Sequence, residues 1–389
     1  MIDIFKNRYV FMLSSLIASG ASYFLNVTLI FLLEDKSQYA DYLSINSWAI
    51  YFSTFFYLSI IELYVSPEGK SFEISSLLNS SFFTLISCSV FFIFLYFFVG
   101  YNYIGFSVLF TAIFYALIKL ITQYFIFSSK TEGVVLLRYG RSLLIGFSIL
   151  ILYLLKENYG VILDAKGQLY VQGIICCFIS IIVVFFFNIK FTFNKTEVSD
   201  VLYIFRYRIA KRNFSMIFDM IHMPIMYYII SDNSQFLNSS FVYTLGLVLP
   251  MAYVISVILK EQLMIKIDSN GFNLATNISK WMLFVVTLSY ISISILYVQG
   301  EGYQIFSLLL LGTLISFSGC IGLNIYRKGL EKYDLITNIV VMLFLLSVFW
   351  LGIIESPQNQ VFLSVIFVSL KFTVQILLSL FGKEEVGDF

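Results

Sequence analysis

The chain has 389 residues, 59% of them hydrophobic and only 12% charged, against about 25% charged in soluble domains. That composition excludes a water-soluble enzyme and points to an integral membrane protein. A net charge of +1, with the basic residues spread over many loops, argues against a nucleic-acid partner, which needs a gathered basic face.

About 20 apolar residues cross the hydrocarbon as a helix, and the apolar runs predict twelve spans. In chain order they cover 9–33, 42–61, 77–99, 104–127, 134–155 and 169–187, then 212–230, 241–259, 278–297, 305–326, 336–354 and 361–381. Twelve spans put both termini on one face, and the lysines and arginines say which. With the amino terminus inside, the outer segments hold only Lys36, Lys156 and Lys166, while Lys6, Arg8, Arg138, Arg141, Arg206, Arg208, Lys260, Arg327, Lys328 and others fall inside. A bias of that size toward the cytoplasm orients a membrane protein, and one missed span would scramble it.

The only sizeable polar segment is cytoplasmic and divides the spans into two sets of six. Expected domains are an amino-terminal lobe, 1–190, a linker, 191–211, and a carboxy-terminal lobe, 212–389. An internal repeat is suggested by matches at a fixed offset of 200: Lys6 and Arg8 with Arg206 and Arg208, and Ser15 with Ser215. The turn from Asp35 to Tyr39 after span one also has a counterpart from Asp232 to Phe236 after span seven. Repeats of this kind mark transporters.

Several chemistries have no support. No glycine-rich segment ends in the Gly-Lys-Ser/Thr of a P-loop. With one histidine and all four cysteines, Cys88, Cys176, Cys177 and Cys320, inside expected spans, disulfides and a catalytic zinc are not expected, nor is any other cofactor.

The pattern resembles the polysaccharide flippases of the multidrug/oligosaccharidyl-lipid/polysaccharide (MOP) exporter superfamily, the Wzx type of bacterial O-antigen and capsule pathways. The features that carry it are a basic amino terminus, a Ser/Gly-bearing first span and the turn from Glu34 to Tyr39. A basic middle linker, Arg206 to Arg212, then introduces a seventh span carrying Pro224. Where many members begin the second helix with Tyr-Gly, this chain has Tyr39 and Ala40. The resemblance implies an all-α integral membrane fold of the MATE/MOP kind, about 12 transmembrane helices in two six-helix lobes, located in the bacterial inner membrane. It further implies an undecaprenyl-pyrophosphate-linked oligosaccharide as substrate, with a polysaccharide polymerase and a chain-length regulator as partners besides the membrane lipids.

Charges within spans single out candidate site residues, because a charge at bilayer depth costs at least ~2.5 kcal/mol unless it faces protein or water. Lys119 lies on a stripe with Ala112, Tyr115, Ala116 and Gln123; Lys371 shares another with Ser364, Gln375 and Ser379. Both read as cavity residues, or as lysines that snorkel to the headgroups. Span seven aligns Arg208, Arg212, Ser215, Asp219 and His222 on one face, and span one aligns Ser15, Ser19, Ser22 and Asn26. Asp219 either holds the His222 imidazole for proton exchange or neutralises Arg212. Arg138 and Arg141, one turn apart, form a candidate phosphate fork or an interfacial anchor. Pro224 and Pro250 are candidate hinges.

Three functions remain: a flippase for a lipid-linked oligosaccharide, a small-molecule antiporter of the same superfamily, and an O-antigen polymerase. The antiporter ranks lower because only Asp219 reads as a well-buried acid for a cationic drug, and the polymerase because the longest outer loop is short.

Overall fold

The computed structural model describes residues 11, 13–15, 17–18, 20–21, 36–58, 60–65, 69–99, 105–192, 194–231, 240–265, 269–299, 302–350 and 357–382. Among them the secondary structure is entirely helical. Residues 11–21 are helical where described. Then follow α1 (Lys36–Tyr57), α2 (Ile74–Val99), α3 (Phe106–Phe127), α4 (Thr131–Tyr159), α5 (Ala165–Phe186) and α6 (Lys195–Met220). The remainder are α7 (His222–Ser231), α8 (Ser240–Ile265), α9 (Ser269–Gln299), α10 (Tyr303–Arg327), α11 (Glu331–Trp350) and α12 (Pro357–Phe381).

Seven of these helices, α2, α3, α4, α5, α9, α10 and α12, are long and apolar enough to cross a membrane. Their outward faces are apolar and exposed, as at Phe94, Phe97 and Phe98 on α2 and Phe284, Leu288 and Ile295 on α9. A row of exposed phenylalanines on a helix suits lipid and not water. The chain is a multi-pass membrane protein. The seven are counted over the described residues alone and do not number the spans of the whole chain. The first four turns of α6 are strongly polar, α7 has 10 residues, and α1 and α11 open on Lys36 and Asp41 and on Glu331, Lys332 and Asp334.

Chain contacts divide the molecule into two compact units, Met1–Asn213 and Phe214–Phe389, with the boundary inside α6. Within the first, α3 is central, packed on α1 and α5; within the second, α10 holds the same place between α8 and α12. Close approach in each is made by a missing side chain. A Cβ on Gly173 of α5 would lie 2.8 Å from Thr111 Oγ1, and one on Gly319 of α10 would lie 2.7 Å from the Ser256 carbonyl oxygen of α8. Ser256 Oγ also accepts a bond from the Gly319 N–H at 2.9 Å. Gly319→Ala is therefore expected to cost about 1–3 kcal/mol, read as a lowered unfolding temperature in detergent. Gly322→Ala on the same helix, where nothing lies within 4 Å, is the neutral control.

Two boundaries differ from the sequence expectation. Most of the 191–211 linker is helix, and it buries Val198, Val201 and Ile209. Its start is fixed by Asn194, whose Oδ1 accepts from the Thr196 N–H (3.3 Å) and whose Nδ2 donates to Glu197 Oε1 (2.8 Å). Ser76 Oγ donates to Glu197 at 3.1 Å, tying the start of α6 to α2. The second span, expected to run to Ile61, ends at Tyr57. Leu58 takes φ 45° in the left-handed region, which periodicity cannot register, and a 3-10 turn over Ile60–Val65 follows.

Candidate functional site

Span seven is broken between α6 and α7. Pro224 lacks an N–H and its ring crowds the carbonyl four residues back, which belongs to Met220, the last residue of α6. Ile221 is a turn, and His222 starts α7. Pro250 lies within the uninterrupted helix α8. Ser19, Ser22 and Asn26 lie outside the described residues, and for Arg208 the structure describes the backbone alone.

In the carboxy-terminal unit three helices each contribute a pair of polar residues four apart. These are Ser215 and Asp219 on α6, Asp334 and Asn338 on α11, and Lys371 and Gln375 on α12. Residues four apart share a helix face, so the six side chains meet. Lys371 forms an ion pair with Asp219. Ser215 donates to Asp334, and Gln375 Nε2 donates to Asp334 Oδ1 at 2.7 Å. Asn338 Nδ2 donates to Ser215 Oγ at 2.9 Å. Lys371 is only 2% exposed, Asp219 29%. Lys371 thus does not snorkel: it sits ten residues before Phe381, about 15 Å along the helix, with its charge met by a carboxylate.

The expected pairings of Asp219 with Arg212 or with the imidazole are not the ones formed. The His222 Nδ1 atom contacts the Asp219 backbone carbonyl, while the carboxylate turns to Lys371. A carbonyl only accepts, so Nδ1 carries the proton. Nε2 is then the acceptor for Tyr253 Oη at 3.2 Å, a neutral ring with both nitrogens used.

In the amino-terminal unit, Arg212 pairs with Glu62, which is 0% exposed on the 3-10 turn. Tyr57 Oη donates to Glu62 Oε1 at 3.3 Å, and Lys119 Nζ lies 4.5 Å from the centre of the Tyr57 ring. Two expected site residues, Lys119 and Arg212, are thereby joined through Tyr57 and Glu62, which the sequence reading missed. Glu62 stands just past an apolar run, where it reads as an interfacial acid; only the left-handed turn at Leu58 folds it inward.

Arg141 occupies a second, half-buried place in this unit. Its guanidinium lies 5.2 Å from the Tyr115 ring centre, and the Tyr115 hydroxyl donates to Asn46 Oδ1 at 3.0 Å. Tyr42 and Cys176 are the other groups beside it, and its Nε has no hydrogen-bond partner. All these neighbours are neutral. Arg138 is one turn earlier on α4, its carbonyl accepting from Ser142 at 3.0 Å. Among the described residues no group of three His, Cys, Asp or Glu side chains is placed to hold a metal ion.

The chain was compared with known proteins. No family model matches it, and neither does any curated protein sequence. Solved structures do. A point mutant of a MATE protein superimposes with a TM-score of 0.54 at 12% identity, covering 96% of this chain and 95% of that one. A MATE protein in complex with Br-NRF gives 0.53 at 11%, covering 96% of each. The chain has the MATE fold. The eukaryotic MATE transporter AtDTX14 extends the likeness, with 0.51 at 10% identity over 97% of this chain and 92% of that one.

Proposed function

We propose that the chain is a twelve-span flippase of the bacterial inner membrane, both termini cytoplasmic. It would move an undecaprenyl-pyrophosphate-linked oligosaccharide from the inner to the outer leaflet by alternating access of two six-helix lobes, handing it to a polymerase and its chain-length regulator. The MATE fold supports the transport part. The observation that carries the substrate class is Arg141, a guanidinium whose neighbours among the described residues are neutral phenols and a thiol. A cation in such surroundings gains most from a mobile anion, and the guanidinium fork matches a phosphate's paired oxygens. Arg138, Lys119 and Arg212 add positive charge to the same unit, against which Glu62 supplies one negative. Membrane potential assists the step: a doubly negative head moving outward gains roughly 4–5 kcal/mol per 100 mV.

Arg141→Ala is expected to lower flipping at least about tenfold, the loss of one charge-assisted hydrogen bond of ~1.5–3 kcal/mol, with Arg141→Lys in between. The assay is accumulation of lipid-linked repeat units on the cytoplasmic leaflet of a complemented deletion strain. Full complementation by Arg141→Ala would defeat the substrate assignment.

The antiporter reading gains one observation. Asp219 is not the only buried acid: Glu62 at 0% and Glu261 at 1% exposure are buried more deeply. Glu62 and Asp219 are nevertheless already neutralised by Arg212 and Lys371, which leaves less for a cationic drug. Proton-driven efflux of a cationic dye with no effect on lipid-linked sugars would favour it. Polymerase chemistry has still less room, since α4 ends at Tyr159, capped by Gly160 at φ 64°, and residues 160–164 alone join it to α5.

A further inference from the structure

We propose that the exposed face of α6 between Glu197 and Arg212 is a docking surface for the headgroups of anionic phospholipids. The first observation is where this stretch is held. Just ahead of it, Asn79 of α2 and Thr192 bond each other twice: Asn79 Nδ2 donates to Thr192 Oγ1 at 2.8 Å, and the Thr192 N–H donates to Asn79 Oδ1 at 3.1 Å. Phe191 stacks on Phe82 of α2 with ring centres 4.0 Å apart, and Ser76, in the first turn of α2, donates to Glu197. At the other end of the stretch Arg212 is paired with Glu62. Two residues beyond Glu62, the Tyr64 ring meets Phe127, the last residue of α3, with centres 5.4 Å apart. Both ties are thus to the end of the bundle where α2 begins and α3 stops, and both of those helices are long and apolar enough to cross a membrane. The stretch between the ties, about 22 Å of helix, is held where the headgroup layer meets these spans.

The second observation is what the face presents. Val198, Val201 and Ile209 are buried, while Tyr203 is 67% and Tyr207 69% exposed, with Ile204 exposed beside them. Tyrosine suits the layer between water and hydrocarbon, where its ring is desolvated and its hydroxyl stays among polar groups. The Arg206 guanidinium lies over both rings, 4.6 Å from the centre of Tyr203 and 4.8 Å from that of Tyr207. Lys211, one turn beyond Tyr207, is exposed. In the sequence no acidic residue falls between Asp200 and Asp219, whereas Arg206, Arg208, Lys211 and Arg212 do. Glu62 balances Arg212; the rest leave the stretch positive, and a guanidinium matches the paired oxygens of a phosphate. A helix that carries aromatic and aliphatic side chains flanked by Arg and Lys seats in the headgroup layer, and anionic lipid strengthens the seating. Each basic residue near such a surface favours it roughly fivefold. Since α6 also carries the boundary between the two compact units, lipid charge acts on the helix that joins them.

The experiment puts a reporter into the face. The full chain carrying Tyr207→Trp, or Tyr203→Trp one turn earlier as a second reporter, is reconstituted in vesicles containing brominated phosphatidylglycerol or, at the same mole fraction, brominated phosphatidylcholine. The emission added to that of Trp48, Trp281 and Trp350 is read as the difference from the wild type. It is expected to be quenched at least about twofold more strongly by the anionic lipid. Arg206→Gln together with Lys211→Gln is expected to abolish that preference and to leave quenching by the neutral lipid in place. A reporter that neither lipid quenches, as on a face standing in water or covered by a protein, overturns the proposal. So does equal quenching by both lipids, or a preference that survives the double neutralisation. The reading depends on neither Arg141 nor the transported molecule, so it stands or falls apart from the flippase proposal.

Discussion

Lys371→Met is expected to destabilise the carboxy-terminal unit by about 3–5 kcal/mol, and Asp219→Leu in the same protein to restore most of that loss. Removing one partner of a buried ion pair strands the other, whereas replacing both with apolar groups of similar volume is close to neutral. Asp219 retains 29% exposure against 2% for Lys371, which sets an order among the variants. Loss of the lysine leaves a carboxylate that can partly rehydrate; Asp219→Asn leaves an ammonium that cannot, and should cost more. Unfolding temperatures of the detergent-purified single and double variants measure this directly. Equal and additive losses would show that the pair does not couple and that the contact between α6 and α12 is incidental.

Much of this arrangement is legible in the sequence, and what is not has identifiable causes. Each expected span from the second onward overlaps a described helix, the seventh being split between α6 and α7, because long apolar runs leave little freedom of interpretation. The stripes through Asp219 and Lys371 mark both residues as inward-facing. Their partners are harder to read. A helix face lists the residues that look inward and not what they look at, so Asp219 reads as a partner of Arg212 or of His222, and Lys371 is not suggested. Asp334 and Asn338 carry the same four-residue spacing as the other two pairs, but they lie at the mouth of span eleven, where charge reads as an interfacial cap. Glu62 is hidden by backbone geometry, a left-handed leucine in an otherwise helical pattern. Arg141 is the converse: its position in a span was plain, and only packing shows that Tyr42, Tyr115 and Cys176 around it bring no negative charge.

Arg212→Met is expected to be the most damaging single change in the amino-terminal unit, costing about 3–5 kcal/mol or more, with Glu62→Gln milder. The side chain of Glu62 is 0% exposed and that of Arg212 11%, so the carboxylate is the partner less able to return to water. Glutamine keeps an oxygen for the Tyr57 hydroxyl, at 3.3 Å in the native pair, and removes the negative charge that Arg212 balances. Methionine at 212 removes the guanidinium and keeps the buried charge, which is the costlier state. Combining Arg212→Met with Glu62→Gln should therefore recover stability relative to Arg212→Met alone. Lys119, 4.5 Å from the Tyr57 ring, provides a readout of position: if Glu62 fixes Tyr57, Lys119→Met should lose less stability in the Glu62→Gln background than in the native one. Thermal unfolding of the four proteins tests this. Should Glu62→Gln destabilise more than Arg212→Met, the arginine and not the glutamate is the group that burial penalises, and the turn after Leu58 does not serve to hold α6 through this pair.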